Sequence, residues 1–473
     1  MAGKFVQEDI ERLIASYLPF VPTHGQAELI GELASFILQF RSDVGFVLKG
    51  YAGTGKTSVI SALVKALPTL NITPVLLAPT GRAAKVLSNY SGHPAYTIHK
   101  QIYYSEPDEE GRVSLSLRQN KARNTLYIVD EASMLGEDDS LLFDFFNYVK
   151  SGYRCRVLLS GDDAQLPPVG SPYSPALDLE YLASCFPTHF YSYCLEEVVR
   201  QGEGSLVLEN ATALRQKIAE EDASLPLFAM DFPQGRADLA RLPGEDLEDV
   251  LQKEYGRRER EDVVFVTRSN KRANLFNNEL RGRIFGLENE LAAGELLMIV
   301  RNNYFWLPQD SKAGFLANGD MIEVLKVKRK EEVYGFHFAD IEARLVDYPD
   351  EPALELKVWM ESLHVDAASL PYEQVRQLFG AVMEDYQYLP TKAQRLQAVR
   401  QDPYFNALQV KYSYALTCHK TQGGQWPCVF VDAGYLSEDM LDLEYLRWLY
   451  TALTRTVERA YLLNFPERFF CGE

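Results

Sequence analysis

One glycine-rich segment, GYAGTGKTS at residues 50–58, has the residue types and spacing that hold nucleotide phosphates. It fits the pattern G-x-x-x-x-G-K-[ST], in which backbone N–H groups wrap the phosphates. Lys56 would reach the β- and γ-phosphates, and the Thr57 hydroxyl would bind Mg²⁺. An apolar run precedes the segment and a helical pattern follows it, which disfavours a chance glycine-rich turn. The residues predicted to bind nucleotide here are Gly50, Ala52, Gly53, Thr54, Gly55, Lys56, Thr57 and Ser58.

Two adjacent carboxylates, Asp130 and Glu131, end the apolar run LYIV. Asp130 would complete the Mg²⁺ shell, and Glu131 would polarise the water that attacks the γ-phosphate. A solvated strand end is the ordinary explanation for such a pair of residues. Because the pair follows a phosphate-binding loop in the same chain, we favour the catalytic interpretation.

Three further polar residues are candidates for the reaction, namely Gln165, Arg200 and Arg455. The Gln165 amide could hydrogen-bond the γ-phosphate or position water, although a role in a turn is an equal alternative. Each arginine could neutralise charge on the transferring phosphoryl group from the far side of a cleft. A surface position is the alternative for each arginine.

Short apolar runs predict the strands that position these residues. Continuous apolar runs separated by helical stretches are typical of buried parallel strands, and ligands bind at the carboxyl ends of such strands. We therefore predict an α/β fold with two domains that face each other across a cleft. The runs are at 45–50, 73–80, 125–133, 155–165, 262–270, 412–420, 427–434 and 460–465.

The region between the later runs has a different character. Residues 315–362 alternate between apolar and polar, which predicts a small β-barrel, and residues 371–401 predict two helices separated at Pro390. We interpret this region as an insertion into the second α/β domain. The predicted domains are 1–200 for the first, 201–314 with 402–473 for the second, and 315–401 for the insertion.

The composition is that of an ordinary globular protein, with 473 residues, a formal net charge of -18 and a pI near 5.0. Such an acidic total argues against a protein that coats nucleic acid with its whole surface, but it allows a local basic channel. The six cysteines lack metal-type spacing. With no apolar run of membrane length and no secretory-type start, we expect a cytoplasmic protein without a membrane partner.

Nine blocks of sequence, taken in order, resemble the motifs of superfamily 1B DNA helicases of the RecD/Dda-like branch. The blocks are THGQAELI, GYAGTGKT, LAPTGRAAKVL, TIHK, VDEASM, GDDAQLPPVG, VVRQ, ALTCHKTQGGQ and LYTALTRT. The resemblance implies two RecA-like P-loop domains with parallel sheets, plus an inserted SH3-like β-barrel with a helical extension. It also implies ATP and Mg²⁺ as cofactors, and a motor that moves 5′ to 3′ on single-stranded DNA and unwinds duplex.

The same resemblance assigns roles to individual residues. Gln26 would read the adenine edge, and Gln422 and Gly423 would join the hydrolysis site. The residues implied to contact DNA are Thr80, Thr97, His99, Thr417, His419 and Lys420. The expected partners are single-stranded DNA and duplex junctions, together with single-strand-binding, replication, recombination or repair proteins, and we expect a monomer.

Three alternatives accompany this interpretation. One is a regulatory ATP-binding subunit or translocase of a larger DNA repair complex, and another is a motor that mainly strips proteins from DNA. A nuclease is the third, because PDEPALELK contains Asp350, Glu355 and Lys357, although the latter two fit a solvent face of a barrel strand better. The polar segment 101–124 predicts a protruding hairpin in which Tyr103 and Tyr104 could form a duplex-splitting wedge or join the core.

Overall fold

A computed structural model of the chain describes residues 5–39, 41, 43–107, 113–136, 140–199, 204–230, 238–308, 311, 313, 315–437 and 440–470. Their strands form two parallel sheets, a closed barrel and a two-stranded hairpin. The predicted α/β class with two parallel sheets and a barrel is confirmed. Within these ranges, no helix combines the length and apolarity needed to cross a membrane.

Six parallel strands form the first sheet, and its core lies on both faces. Phe46 and Leu48 pack against one layer of helices, and Val47 packs against the other. Burial on both faces explains why these strands are continuous apolar runs. The strands are β1 (Val44–Gly50), β2 (Thr73–Ala78), β3 (Ala95–Thr97), β6 (Thr125–Val129), β7 (Arg156–Gly161) and β8 (His189–Leu195), in the spatial order β3-β2-β6-β7-β1-β8. The helices are α1 (Gln7–Ser16), α2 (His24–Leu38), α3 (Lys56–Ala66), α4 (Gly81–Ser91), α5 (Ile98–Ile102), α6 (Leu141–Ser151) and α7 (Leu179–Cys185).

The second sheet contains five parallel strands and is built on the same plan. Val264 and Val266 face one core, whereas Val263 and Phe265 face the other. The strands are β9 (Leu239–Leu242), β10 (Val263–Thr267), β16 (Ala415–Thr417), β17 (Trp426–Asp432) and β18 (Thr456–Leu463), in the order β16-β10-β17-β18-β9. The helices are α8 (Leu206–Ala219), α9 (Leu247–Tyr255), α10 (Asn270–Glu279), α13 (Cys418–Thr421) and α14 (Leu443–Leu453).

The barrel is larger in sequence than the predicted 315–362. Its strands are β11 (Leu296–Ile299), β12 (Met321–Val333), β13 (Phe336–Leu345), β14 (Leu354–Trp359) and β15 (Leu408–Tyr412). The first and last of these strands close the barrel by antiparallel pairing, with Leu297 opposite Tyr412. Both are buried on each side and therefore lack the alternation that marked the middle strands. The domain boundaries stay a prediction.

The predicted strand at 412–420 is wrong in its extent. Tyr412 ends β15 of the barrel, and only Ala415–Thr417 joins the second sheet before Cys418–Thr421 turns into a helix. The apolar run is continuous because the chain passes from one buried strand to another, so the sequence carries no sign of the break.

Two helices and a hairpin complete the fold. Helices α11 (Tyr372–Asp385) and α12 (Lys392–Arg400) flank Pro390, as the sequence predicts. Within residues 101–124, β4 (Tyr103–Pro107) and β5 (Val113–Leu117) pair in antiparallel fashion. Tyr103 is buried and its hydroxyl donates to Asp144 at 2.6 Å, whereas Tyr104 is 55% exposed. Tyr103 therefore joins the core, whereas the role of Tyr104 as a duplex-splitting wedge stays a prediction.

The barrel also accounts for the nuclease-like pattern. Lys357 is buried, which contradicts the expected solvent position, and its ammonium group pairs with Glu331 at 2.8 Å and Asp340 at 2.6 Å. Glu355 pairs with Lys328 at 2.6 Å. Because these charges are paired across barrel strands, they form structural ion pairs rather than a metal-binding site.

Candidate nucleotide site and nucleic-acid surface

The glycine-rich loop joins the end of β1 to the start of α3, as a phosphate-binding loop must. Gly53 and Gly55 have φ of +81° and +80°, a left-handed conformation that favours glycine. A Cβ atom on Gly55 would also lie 2.5 Å from Nε2 of Gln26. The loop therefore keeps its backbone open toward the cavity, where Ala52, Gly53 and Gly55 line the wall.

Lys56 and its neighbours occupy the positions that the motif predicts. The Lys56 ammonium group donates to the Gly50 carbonyl at 2.6 Å and lines the cavity with Thr57 and Ser58. Thr54 has a different role, because it is buried and its hydroxyl donates to the Tyr51 carbonyl at 2.9 Å. The loop is thus held by its own side chains.

Gln26, in helix α2, holds the phosphate-binding loop through a hydrogen bond. Its side chain is fully buried, its amide N–H donates to the Thr54 carbonyl at 3.1 Å, and its oxygen accepts from Thr23 N at 3.2 Å. Gln26 lines the cavity, as do Phe20 and Tyr90, and its contact with the adenine edge stays a prediction.

The predicted carboxylates lie at the carboxyl end of β6, facing the loop. Asp130 accepts a hydrogen bond from the Ser160 hydroxyl at 2.9 Å. Glu131 has φ of +53°, an uncommon value for a non-glycine residue that is typical of functional sites. Burial and the neighbouring Asp130 raise the pKa of Glu131, while Arg455 and Lys56 oppose that rise.

A third carboxylate, Asp162, joins this group although the sequence interpretation did not select it. It is buried and lines the cavity, and burial raises its pKa against the opposing charge of Lys56. The adjacent Asp163 points elsewhere and pairs with Lys49 at 3.1 Å. The segment GDDAQ contains both aspartates, and its sequence does not indicate which of them is buried at the cavity.

Gln165 contributes an acceptor with no protein partner. Its Oε1 atom is buried and makes no hydrogen bond within the described residues, while Nε2 lies 3.4 Å from Asp162. A buried acceptor without a partner costs about 1–3 kcal/mol, so a ligand or water proton is the expected partner. Gln165 lines the cavity beside Glu131.

Arg455 reaches the cavity from the second sheet. It is buried, and its guanidinium group donates to the carbonyls of Thr451 at 3.0 Å and Gly424 at 3.3 Å. Arg200, the other predicted arginine, lies outside the described residues. The preceding Val199 lines the cavity.

Two residues of helix α14 connect the two sides of the cleft through hydrogen bonds. The Tyr450 hydroxyl donates to Asp162 at 2.7 Å and accepts from Ala52 N at 3.1 Å. Thr451 accepts from Leu166 N at 2.8 Å. Both residues stand in the block LYTALTRT, but their partners lie far away in the chain, so the sequence gives no sign of these contacts.

Gln422 and Gly423 occupy different environments. The Gln422 amide is buried and donates to the Leu166 carbonyl at 2.8 Å, and the residue does not line the cavity. Gly423 lines it with φ of +74°, and a Cβ atom on this glycine would lie only 2.7 Å from the Ala83 side chain. Gly424 and Gln425, which were not predicted, also line the cavity.

The donor set suits a magnesium ion. Mg²⁺ prefers oxygen ligands and is usually held by one or two carboxylates with substrate phosphates and waters. The Thr57 hydroxyl and the Asp130 carboxylate line the same cavity and provide such oxygens. Among the described residues, no group of three or more His, Cys, Asp or Glu forms a separate metal site.

The residues predicted to contact DNA lie at matching positions in the two sheets. Thr97 precedes α5 and Thr417 precedes α13; each is the last residue of an edge strand and each has φ -71° and ψ 149°. His99 and His419 follow two residues later, and Thr80 likewise precedes α4, where its hydroxyl accepts from Ala83 N. None of these residues lines the nucleotide cavity.

Lys420, one of the residues predicted to contact DNA, has a lowered pKa. Burial, with a smaller contribution from Lys411, lowers the pKa of Lys420 to about 8. Burial also lowers the pKa of His419. An anion bound nearby would favour the charged forms of both side chains.

Comparisons with known proteins agree with this geometry. The AAA domain family matches residues 23–225, and the UvrD-like helicase C-terminal domain matches residues 412–463. The ATP-dependent RecD2 DNA helicase of Deinococcus radiodurans is 27% identical over 447 residues, covering 93% of this chain and 50% of that protein. The ATP-dependent DNA helicase dda of Enterobacteria phage T4 is 25% identical over 318 residues, covering 65% of this chain and 68% of that protein. The chain thus spans half the length of the RecD2 relative.

A solved structure has the same fold. The crystal structure of Pif1 helicase from Bacteroides, in complex with ADP-AlF3 and single-stranded DNA, matches with a TM-score of 0.50 and 13% identity. The match covers 96% of this chain and 95% of that one.

The fold and the cavity define a P-loop NTPase with two RecA-like units and an SH3-like barrel. The residues predicted to bind phosphate come from the first unit, and Arg455 comes from the second. Together with the two helicase relatives and the AAA domain match, these features support a superfamily 1B helicase of the RecD and Dda type, the family that the motifs of this chain resemble.

Proposed function

We propose that this chain is an ATP-driven motor that moves 5′ to 3′ along single-stranded DNA and unwinds duplex DNA. One observation carries the proposal: Lys56 and Glu131 of the first unit and Gly424 and Arg455 of the second line a single cavity. A ligand that contacts both units favours their closed arrangement. Loss of the γ-phosphate removes part of those contacts and allows the cleft to open.

The residues divide the work of hydrolysis among them. Lys56 would exchange the Gly50 carbonyl for phosphate oxygens, and Glu131 would polarise the attacking water. The buried Oε1 atom of Gln165 would accept a hydrogen bond from the same water. Arg455 would stabilise the charge that develops on the phosphoryl group. When bound at Thr57 and Asp130, Mg²⁺ would neutralise phosphate charge.

Two grips on the strand would turn this cycle into movement. Thr80, Thr97 and His99 belong to the first RecA-like unit, and Thr417, His419 and Lys420 belong to the second. If both groups hold the strand, opening and closing the cleft changes the distance between them. Each cycle then moves one grip past the other. The polarity of this movement is carried over from the family resemblance alone.

The partners in this proposal are single-stranded DNA and the junction where it enters duplex, and single-strand-binding, replication or repair proteins are further candidates. All the residues assigned to hydrolysis belong to one chain, which supports a monomeric motor. The domains are proposed as 1–200, 201–314 with 402–473, and an insertion around 315–401 that shares its barrel strands with the flanking segments.

The displacement of streptavidin from biotinylated oligonucleotides tests the motor directly. With ATP and Mg²⁺, we expect rapid displacement from a 3′-terminal biotin and slow displacement from a 5′-terminal biotin. The reverse preference would contradict the polarity. Equal, ATP-independent rates at both ends would contradict translocation altogether, while movement without unwinding would identify a translocase.

A further inference from the structure

A second cavity lies between the barrel and the helical extension. Its lining residues, between 301 and 409, are separate from those of the nucleotide cavity. It has a volume of about 280 Å³ and is walled by the loop after β11, the end of β14, α11 and the segment from α12 to β15. That volume is near the lower limit of ligand pockets, roughly 300 Å³, and suits one small ligand.

The charges around this cavity differ from those of the whole protein. Arg301 and Arg400 line it, and none of the described residues that line it is acidic. The chain as a whole has 66 acidic against 48 basic residues, so this wall is strongly biased toward cations. By contrast, another cavity, lined by Lys49 and Arg447, also contains Asp163, Asp178 and Glu180. An anionic ligand is therefore favoured between the barrel and the extension.

The remaining wall is aromatic and amide-rich, which suits a flat heterocycle. Tyr304, Phe405 and Trp359 line the cavity, and Gln401 is one of several amides there. Nucleobases stack on such rings, and amides can hydrogen-bond base edges. Arginine, in turn, pairs well with phosphate.

One buried donor in this wall has no protein partner. Trp359 is 2% exposed, and its Nε1–H makes no hydrogen bond within the described residues. Indole N–H groups usually find a partner when they are buried. Trp359 lines the cavity, and a ligand acceptor that reached Nε1 would satisfy this donor.

The cavity adjoins the surface on which the strand is proposed to lie. The ring of Tyr304 stacks on Phe315 at 4.8 Å, and the Lys100 ammonium group lies 5.8 Å from the Phe315 ring. Lys100 belongs to α5, directly after Thr97 and His99. Aromatic and basic groups thus continue from the first sheet to the mouth of the cavity.

We propose that this cavity holds one nucleotide residue of a bound single strand. Its base stacks among the aromatic side chains, and its phosphate pairs with Arg301 and Arg400. A nucleotide residue is both flat and anionic, and it fits the small volume. That the nucleotide belongs to a strand rests on the proposed function, whereas the preference for nucleotide chemistry does not.

Binding of fluorescein-labelled dT oligonucleotides of increasing length, without ATP, tests the proposal. Arg301→Gln keeps a polar, unbranched stem but removes the charge, and the same change at Arg376 on α11, outside the cavity, is the matched control. We expect R301Q to bind long oligonucleotides about tenfold more weakly than R376Q, because one charge-assisted contact is lost. The slope of log K against log salt should also become shallower by about 0.7. Oligonucleotides too short to reach the cavity should bind both variants equally.

Trp359→Phe supplies a second test that does not depend on charge. It removes the N–H group but keeps an aromatic ring, so we expect about fivefold weaker binding of long oligonucleotides. The N–H group has no hydrogen-bond partner within the described residues. The substitution therefore removes no hydrogen bond from the free protein, and we expect no fall in the unfolding midpoint from that cause. Competition by millimolar dTMP would identify free nucleotide as an alternative occupant, and its absence would restrict the cavity to strands.

Equal affinity and equal salt dependence of R301Q, W359F and the wild-type protein at every length would overturn the proposal. This outcome is separable from failure of the motor. A wild-type protein that binds oligonucleotides but displaces no streptavidin would contradict the proposed function and leave the comparison of variants fully readable.

Discussion

Tyr450 and Asp162 lie on opposite sides of the cleft and share a hydrogen bond of 2.7 Å. The same hydroxyl accepts from Ala52 N in the phosphate-binding loop at 3.1 Å. Burial and the nearby Asp162 raise the pKa of Tyr450, so the hydroxyl keeps its proton and remains a donor. One phenol therefore connects the second unit to two loops of the nucleotide site.

Tyr450→Phe should lower DNA-stimulated ATP hydrolysis by about tenfold, because it removes one hydrogen bond from the buried Asp162 carboxylate and takes away the acceptor of the Ala52 N–H. Steady-state kinetics with saturating oligonucleotide would measure this. Tyr445→Phe is the matched control in the same helix, since the buried Tyr445 hydroxyl has no hydrogen bond within the described residues. Equal losses in both variants would show that packing, rather than the shared hydrogen bond, matters.

Glu131→Gln should reduce ATP hydrolysis by at least about a hundredfold, because a neutral amide cannot polarise the attacking water. Binding of ATP and of single-stranded DNA should persist, as the amide has nearly the same shape as the carboxylate. Lys56→Ala should weaken ATP binding as well, which separates the two roles. Hydrolysis by E131Q at the wild-type rate would contradict the assignment of Glu131.

The affinity for single-stranded DNA should fall as pH rises through about 8, the lowered pKa of Lys420. The ammonium form prevails below that pH and would pair with a DNA phosphate in the proposed role, whereas the neutral amine above that pH would not. Between pH 7 and 9 the loss should approach about tenfold, which fluorescence anisotropy would measure. Lys420→Arg should remove this part of the pH dependence, because arginine stays charged. An unchanged profile in K420R would refute the role of Lys420.

Tyr104→Ala should slow strand displacement more than it slows hydrolysis. Tyr104 is 55% exposed on the hairpin, with the Arg118 guanidinium group 4.6 Å from its ring centroid, a surface on which a base could stack. Tyr103→Phe is the comparison, because it removes the hydrogen bond to Asp144 and should affect stability, by about 1 kcal/mol, rather than unwinding. If Y104A unwinds duplex as well as wild type, the hairpin does not use this side chain to separate strands.

Local motifs made much of this site predictable, and contacts distant in sequence made the rest unpredictable. Lys56 and Glu131 each belong to a short segment whose strand, turn and helix pattern fixes their position. Tyr450 contacts Asp162, a residue 288 positions away, and no local pattern encodes such a pair. Gln422 belongs to a recognisable motif, but its amide donates to the distant Leu166 carbonyl, and its place in the hydrolysis site stays a prediction.

The fold divides in the same way. The middle strands of the barrel alternate between apolar and polar residues and were predicted, whereas Leu296–Ile299 is apolar throughout and was not. Closing a barrel requires pairing between its first and last strands, which depends on the whole chain rather than on either segment.

Strand displacement from two partial duplexes, one with a 5′ single-stranded tail and one with a 3′ tail, tests the central claim most directly. With ATP and Mg²⁺, we predict displacement only from the duplex with the 5′ tail, and none by K56A. Displacement only from the 3′ tail would contradict the polarity. Failure to displace either strand, while DNA still stimulates hydrolysis, would contradict the claim that this chain unwinds duplex by itself.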